Sequence, residues 1–139
     1  MERWFDMPIL TLKLSANANL KNANALARDL TALSTQVLHK RSDVTSVVFQ
    51  RVHAQDWWLG SDASDHVLMQ LDIRVTKGTN TELEKATFIA EAFALLPKHL
   101  TDGQQMHATS YISVQELAAT DWGYGGYTQQ KRREMAQTL

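Results

Sequence analysis

Two segments in which apolar and mainly polar residues alternate predict half-buried β-strands. In the segment 7–15, Leu10, Leu12 and Leu14 are separated by Thr11 and Lys13. The same alternation recurs through the segment 67–75. A period of two places every second side chain on one face of a sheet, so each segment has one apolar face to bury.

Each alternating segment is followed by apolar residues at helical spacing, which predicts an amphipathic helix. The first stripe consists of Leu26, Leu30, Leu33 and Val37. The second consists of Ile89, Ala92, Phe93 and Leu96. Asparagines before the first stripe favour a helix start, and Thr81 with Glu84 forms a capping-box pattern before the second. Each half of the chain therefore begins as strand and then helix.

A further strand and an Asp-Trp loop close each half. The segments 45–52 and 108–114 have strand character, and they lead to Asp56-Trp57 and Asp121-Trp122 respectively. This duplication predicts an α/β (α+β) fold of tandem β-α-β repeats, about 7–61 and 66–126. We expect a four-stranded mixed sheet with two helices on one face, and strands that are parallel within each half. Residues 1–6 are then an N-terminal extension that is not necessarily native, and 127–139 a basic C-terminal tail.

The sheet face opposite the helices has no third helix to cover it. Ile9, Val48, Leu68 and Ile112 are expected on that face. Self-association is the simplest way to bury such residues.

Composition removes several classes of function. The formal net charge is −1, so no overall field favours nucleic acid or an anionic membrane. The chain has no cysteine, which excludes disulfides and thiolate chemistry. The five histidines lack metal-ligand spacing. No apolar run approaches the roughly 20 residues of a membrane span, and no signal-peptide pattern opens the chain, so a cytoplasmic protein is expected.

The order of motifs resembles the tautomerase superfamily. A strand opening Met7-Pro8-Ile9, a long helix, the strand 45–47 (Thr-Ser-Val) and the glycine-rich loop 122–126 are similar to 4-oxalocrotonate tautomerase, whose small subunit is one β-α-β unit. The fused length resembles 5-carboxymethyl-2-hydroxymuconate isomerase, cis-3-chloroacrylic acid dehalogenase and malonate semialdehyde decarboxylase. The resemblance covers residues 7–126.

The resemblance implies an amino-terminal proline as the catalytic base, and Pro8 is the matching residue. A secondary amine serves as a base when its pKa lies near the working pH. Pro8 has such an amine only if translation starts at Met7. Otherwise its nitrogen belongs to an ordinary peptide bond, and Pro8 is a strand-initial proline.

The resemblance also suggests residues that bind and polarise a substrate. Arg74 and Lys77 match a carboxylate-binding arginine pair of the dehalogenase, with lysine in place of the second arginine. Trp122 matches an aromatic pocket wall of 4-oxalocrotonate tautomerase, and Trp57 is its counterpart in the first half. Solvated strand ends and core packing are the alternative interpretations.

Three further residues are weaker candidates. Tyr111 and Asp121 resemble a functional tyrosine and the water-activating carboxylate of the dehalogenase; the alternatives are a packing tyrosine and a turn aspartate. The tautomerase arginine of the second strand is replaced by Val48. Arg51 is a displaced substitute with the opposite alternation parity.

The resemblance thus implies a tautomerase that interconverts enol and keto forms of a small carboxylate substrate, without metal or organic cofactor, as a homotrimer. Hydratase, dehalogenase or decarboxylase chemistry on a short unsaturated or oxo acid is one alternative. A non-catalytic oligomeric binding protein is another.

Overall fold

The computed structural model describes residues 7–137, which form a four-stranded sheet covered by two long helices. The sheet strands are β1 (Ile9–Ser15), β2 (Ser46–Val52), β5 (Met69–Thr76) and β6 (Ile112–Leu117). The helices are α1 (Ala23–Leu38), α2 (Glu82–Leu95) and α3 (Gln129–Gln137). Two short hairpins consist of β3 (Trp58–Leu59) with β4 (Asp62–Ala63) and β7 (Gly123–Tyr124) with β8 (Tyr127–Thr128).

The strand order is β2-β1-β5-β6, and the pairing follows the duplication. β1 is parallel to β2 and β5 is parallel to β6, each pair joined by a helical crossover. The two halves meet where β1 runs antiparallel to β5, with Leu12 opposite Leu71. The mixed sheet of two β-α-β units predicted from the sequence is therefore confirmed.

One face of the sheet carries the core. Leu10, Leu12 and Leu14 of β1 are fully buried, as are Met69, Leu71 and Ile73 of β5. The same cluster contains the predicted α1 residues Leu26, Leu30 and Leu33. The predicted stripe of α2 is wrong in part: Ala92 is buried together with Phe88, but Ile89 (39%) and Phe93 (36%) are exposed, because the buried face of the helix is rotated toward Phe88. Both helices thus cover the same face, as predicted.

Local capping chemistry begins both helices. The Asn22 side chain accepts a hydrogen bond from the Ala25 N–H (3.1 Å) at the start of α1. Thr81 and Glu84 form the predicted capping box, since each side chain accepts from the other residue's backbone N–H. α1 ends at His39, whose φ of 59° is left-handed. Such caps satisfy backbone donors that the first turn leaves free.

The open sheet face differs from the expectation. Ile112 pairs with Leu71 and so shares the helix-covered face, while Leu68 is fully buried. Ile9 and Val48 lie on the open face as predicted, and Val48 is 44% exposed. The other open-face positions are mainly polar: Thr11, Lys13, Gln70, Asp72, Arg74, Ser113 and Gln115. The prediction is therefore wrong for Ile112, and self-association through this face stays a prediction.

The fourth strand lies at Ile112–Leu117 rather than 108–114, which corrects the sequence prediction. Within the predicted basic C-terminal tail, residues 127–137 contain β8 and α3, and Gln129 is fully buried. The proposed extension 1–6 lies outside the described residues. Within residues 7–137, no helix combines the length and the hydrophobicity that a bilayer crossing needs.

Candidate active site at the start of β1

Pro8 lies at the end of the sheet where β1 begins. Pro8 is buried, and its carbonyl accepts a hydrogen bond from the Ser46 N–H (3.3 Å). Because Ile9 pairs with Arg74, the antiparallel register puts Pro8 level with Val75, near the end of β5. A proline fits here because the first strand position needs no backbone donor.

Arg74 is an exposed cation on the open face, directly opposite Ile9. Its Nε donates to Gln115 Oε1 at 3.4 Å, a long bond that leaves the guanidinium accessible to an anion. Arg74 therefore lies one strand position along the sheet from Pro8.

Lys77 has a different environment from Arg74. It follows the end of β5, where its backbone N–H donates to the Leu117 carbonyl (2.8 Å). Glu116 lies nearby on the opposite sheet face from Arg74, and it accepts hydrogen bonds from Lys85 Nζ (3.2 Å) and the Gly78 N–H (3.3 Å). Partial burial acts to raise the pKa of Glu116, but Lys85, the Gly78 N–H and the charge of Lys77 outweigh it and lower that pKa. Part of the Lys77 charge is thus already compensated by a carboxylate.

We expect Glu116→Gln to destabilise the protein at neutral pH and to lose this effect in acid. A carboxyl whose folded pKa lies below its ordinary value of 4.5 stabilises the fold above that pH, and the contribution disappears as pH falls through the folded pKa. Urea unfolding of wild type and variant at pH 7 and pH 3 measures the difference. Glu91→Gln, which changes an exposed glutamate of α2, is the control. An equal deficit at both pH values would contradict the assignment.

Trp122 closes the same end of the sheet. Its indole Nε1 donates to Thr76 Oγ1 (3.2 Å), and Thr76 is the buried last residue of β5. The β7–β8 hairpin that follows Trp122 is held by Arg132, whose guanidinium donates to the Tyr124 carbonyl (2.8 Å) and stacks on the Tyr124 ring at 3.7 Å. The indole is therefore anchored to the sheet, and the hairpin that follows it is anchored to α3.

The hairpin has room only for glycine at its first position. A Cβ on Gly123 would lie 1.9 Å from the Tyr127 carbonyl oxygen. The glycine-rich run after Trp122 thus has a packing reason that is independent of any ligand.

Asp121 is exposed in the turn before the hairpin. Its N–H donates to the Ala118 carbonyl (2.8 Å), and one carboxylate oxygen accepts from the hydroxyl of neighbouring Thr120 (2.9 Å). This is ordinary turn geometry, with a carboxylate that remains accessible to solvent.

The other candidates lie at the opposite end of the sheet. Tyr111 directly precedes the Ile112–Leu71 pair and is 72% exposed, whereas Pro8 is level with Val75. The separation of five residues along β5 corresponds to about 17 Å. Arg51 pairs with Leu14 near the far end of β1, and its Nη1 donates to the Ala18 carbonyl (2.7 Å). Tyr111 and Arg51 are thus not brought to Pro8 within one chain.

Trp57 shares the far end with Arg51. It follows β2 and lines a separate cleft on the open face. The two Asp-Trp loops, similar in sequence, therefore lie at opposite ends of the sheet, because the halves run antiparallel. Trp122 alone of the two lies at the Pro8 end.

Sequence reasoning missed the residues that support this site. Thr76 holds the Trp122 indole, Gln115 holds Arg74, and Glu116 faces Lys77. The alternation along β5 that places Arg74 on the open face also places Thr76 there, so the sequence pattern could have indicated Thr76. The contacts of Gln115 and Glu116 depend on the β5–β6 register. Within residues 7–137, no group of three potential metal-ligating side chains is present.

Comparison with known proteins finds structures with a similar fold but low sequence identity. No protein-family model matches the sequence. No curated protein matches it either. Among solved structures, a fused 4-OT asymmetric trimer (F6) superimposes with a TM-score of 0.74 at 15% identity, covering 89% of this chain and 98% of that one.

Two further solved structures agree. The structure of Pt0534 inactivated by 2-oxo-3-pentynoate gives a TM-score of 0.75 at 10% identity, covering 88% of this chain and 98% of its own. N1, a member of the cis-3-chloroacrylic acid dehalogenase family, gives 0.62 at 19% identity, with 93% and 92% covered.

These similarities identify the class of fold. The chain has the tautomerase-superfamily fold, in the tandem form that combines two β-α-β units in one polypeptide. The resemblance read from the order of motifs is confirmed at this level.

Proposed function

We propose that this protein is a tautomerase that interconverts enol and keto forms of a small carboxylate, with Pro8 as the base. The observation that carries the proposal is the β1–β5 register, which brings Pro8, Arg74 and the Trp122–Thr76 contact to one end of the sheet. The proposal requires removal of the residues before Pro8, because only a free secondary amine has a basic lone pair.

The proposed chemistry is a proton shuttle. The Pro8 amine takes the enol hydroxyl proton while the enol carbon becomes nucleophilic, and the resulting ammonium returns a proton to that carbon. The buried position of Pro8 and the nearby Arg74 cation both disfavour the charged ammonium. Both effects lower the pKa of an amine toward neutral pH, where a base works best.

Arg74 is proposed to anchor the substrate carboxylate. A guanidinium offers paired donors that match the two carboxylate oxygens, and the long Gln115 contact is easily exchanged. Trp122 would form the wall that limits water at the amine. Lys77 is the secondary cation, since Glu116 compensates part of its charge.

We expect Arg74→Gln to raise KM for phenylenolpyruvate by about tenfold or more, with a smaller change in kcat, because a charge-assisted contact to a non-reacting group is lost. Steady-state kinetics measures the split. Arg28→Gln, an exposed arginine on α1, is the matched control and should leave both constants unchanged. A fall in kcat alone would contradict the anchoring role.

Hydratase or dehalogenase chemistry is the second candidate, because N1 belongs to the cis-3-chloroacrylic acid dehalogenase family and Asp121 is exposed beside Trp122. Protonated Pro8 would then act as the acid and Asp121 would activate water. Parallel assays with phenylenolpyruvate and cis-3-chloroacrylate separate the two functions. Turnover of only the haloacrylate, abolished by Asp121→Asn, would exclude the tautomerase proposal. Turnover of neither substrate by a chain that begins at Pro8 would favour a non-catalytic binding protein.

We also propose that the protein is a homotrimer. The similar fused 4-OT structure is a trimer, and Arg51 and Tyr111 lie too far from Pro8 to serve it within one chain. Light scattering after size exclusion should give three times the chain mass. A monomer mass at assay concentrations would contradict this proposal.

A further inference from the structure

A row of polar side chains starts at Arg74 and continues along the open face of β5 and β6. Arg74 lies opposite Gln115 in the register of the two strands, and Asp72 lies opposite Ser113. Gln70, two residues before Asp72 on β5, completes the row. All contacts within the row join residues of one chain, so it does not need a neighbouring subunit to form.

Four hydrogen bonds connect these side chains. Arg74 Nε donates to Gln115 Oε1 (3.4 Å), and Gln115 Nε2 donates to Ser113 Oγ (3.2 Å). Ser113 Oγ donates to Asp72 Oδ1 (2.6 Å), and Gln70 Nε2 donates to Asp72 Oδ2 (3.1 Å). Every donor of the row thus leads toward Asp72, whose carboxylate accepts a hydrogen bond on each oxygen.

The Asp72 carboxylate sets the direction of the row. A carboxylate only accepts hydrogen bonds, so the Ser113 hydroxyl gives its proton to Asp72 and offers a lone pair to Gln115. The Gln115 amide can be placed in two ways, and this lone pair selects the one with the NH2 group on Ser113 and the oxygen on Arg74. The reversed amide would set an N–H group against the N–H of the guanidinium.

The direction of the row matters for Arg74 because Gln115 is its partner. Among residues 7–137, the Arg74 side chain has no other hydrogen bond or ion pair. The contact uses Nε, so Nη1 and Nη2, a pair of parallel donors that fits a carboxylate, stay available. A guanidinium that is already held before a ligand arrives has less freedom to lose on binding.

We propose that Asp72 is a positioning residue for the carboxylate anchor, and that it acts on Arg74 through Ser113 and Gln115. We call Asp72, Ser113 and Gln115 the relay. Asp72 does not need to touch the substrate for this role. The inference rests on the proposed function, because it takes Arg74 as the residue that binds the substrate carboxylate.

The relay and a simple charge effect predict opposite results for Asp72→Asn. Removing a negative charge two residues from Arg74 should by itself strengthen the binding of a carboxylate. In the relay, the oxygen of the new amide accepts from Gln70, and its NH2 group donates to Ser113. The Ser113 hydroxyl then donates to Gln115, whose amide turns its own NH2 group toward Arg74. KM for phenylenolpyruvate should therefore rise about threefold, with kcat nearly unchanged.

The first test follows the Arg74 Nε–Hε signal in proton–nitrogen correlation NMR of the full chain without substrate, assigned by its loss in Arg74→Gln. In Asp72→Asn and Ser113→Ala this signal should move toward the position of a free arginine side chain. Ser113→Thr keeps the hydroxyl and should keep the wild-type position. Asp102→Asn, which changes an exposed aspartate before β6, is the matched control. An unchanged signal in both Asp72→Asn and Ser113→Ala would overturn the inference.

The second test is steady-state kinetics of a chain that begins at Pro8. Ser113→Ala, which changes no charge, should raise KM about threefold, and Ser113→Thr should restore it. In a Gln115→Leu background, Asp72→Asn should no longer raise KM. A KM that falls in Asp72→Asn, or a rise that persists without Gln115, would overturn the relay. Absence of turnover in the wild type, with the Arg74 signal still moving as expected, would contradict the proposed function but support the relay.

Discussion

A chain that begins at Pro8 should tautomerise phenylenolpyruvate, and Pro8→Ala should lower its kcat/KM by about 10²–10⁴-fold, the usual contribution of a positioned acid–base group. Pro8 is buried at the start of β1, one strand position from the Arg74–Ile9 pair. Alanine supplies a primary amine of different basicity and without the ring that fixes its direction. Stopped-flow or steady-state absorbance of the enol measures the loss.

The matched comparison is the 139-residue chain with Met7 still attached, verified by intact mass. In that chain the Pro8 nitrogen is an amide without a basic lone pair, so its activity should fall at least as far as that of the Pro8→Ala variant. Equal activity of the two wild-type chains would contradict a role for the Pro8 amine. Because Met7 is itself buried, urea unfolding of both chains is the control that separates loss of the amine from loss of folding.

Phe88→Ala should destabilise the fold by about 3–5 kcal/mol, the largest stability change expected from one substitution here. Phe88 is fully buried on α2 and belongs to the core cluster between the helices and the sheet. Removing its ring loses apolar burial and leaves a cavity that neighbouring side chains only partly fill. Urea unfolding monitored by circular dichroism measures the free energy of unfolding.

Phe93→Ala is the matched control on the same helix. Phe93 is 36% exposed, so Phe93→Ala should lower the free energy of unfolding clearly less than Phe88→Ala does. Equal destabilisation by the two substitutions would contradict the helix orientation described above. A larger effect of Phe93 would indicate that an assembly buries it.

The fold was predictable because its elements are locally encoded. The alternation through Leu10, Leu12 and Leu14 defines the buried face of β1, and the Thr81–Glu84 capping box defines the start of α2. The repeat of strand, helix and strand then leaves few topologies, since crossovers between parallel strands have one hand. These patterns are local, so the elements can be predicted without information on contacts between residues that are distant in the sequence.

The errors arose where register decides the outcome. Ile112 was assigned to the open face, but its pairing with Leu71 puts it on the helix side. A shift of one residue in register reverses every side chain of a strand, and the sequence does not specify the shift. The charged composition of the predicted basic tail conceals the helix α3, one buried residue, Gln129, and the Arg132 contact to Tyr124.

The resemblance selected candidate site residues, but it did not show where they lie relative to one another. Resemblance selected Pro8, Arg74 and Trp122, and the structure puts them at one end of the sheet. It selected Arg51 and Tyr111 equally, yet these lie at the other end. Because β1 and β5 pair antiparallel, equivalent residues of the two halves lie at opposite ends of the sheet. The separation of Arg51 and Tyr111 from Pro8 is thus a result of the topology, which no sequence motif shows.

Peptide-mapping mass spectrometry of the native protein, treated with 2-oxo-3-pentynoate, tests whether Pro8 is a free, reactive amine. The compound carries a carboxylate, which Arg74 is proposed to bind, and an alkyne that a free amine adds to, and it inactivates the structurally similar Pt0534. We expect an amino-terminal peptide that begins at Pro8 and carries one added molecule. An amino-terminal peptide that still contains Met7, or a free Pro8 left unmodified while the compound is present in excess, would contradict it.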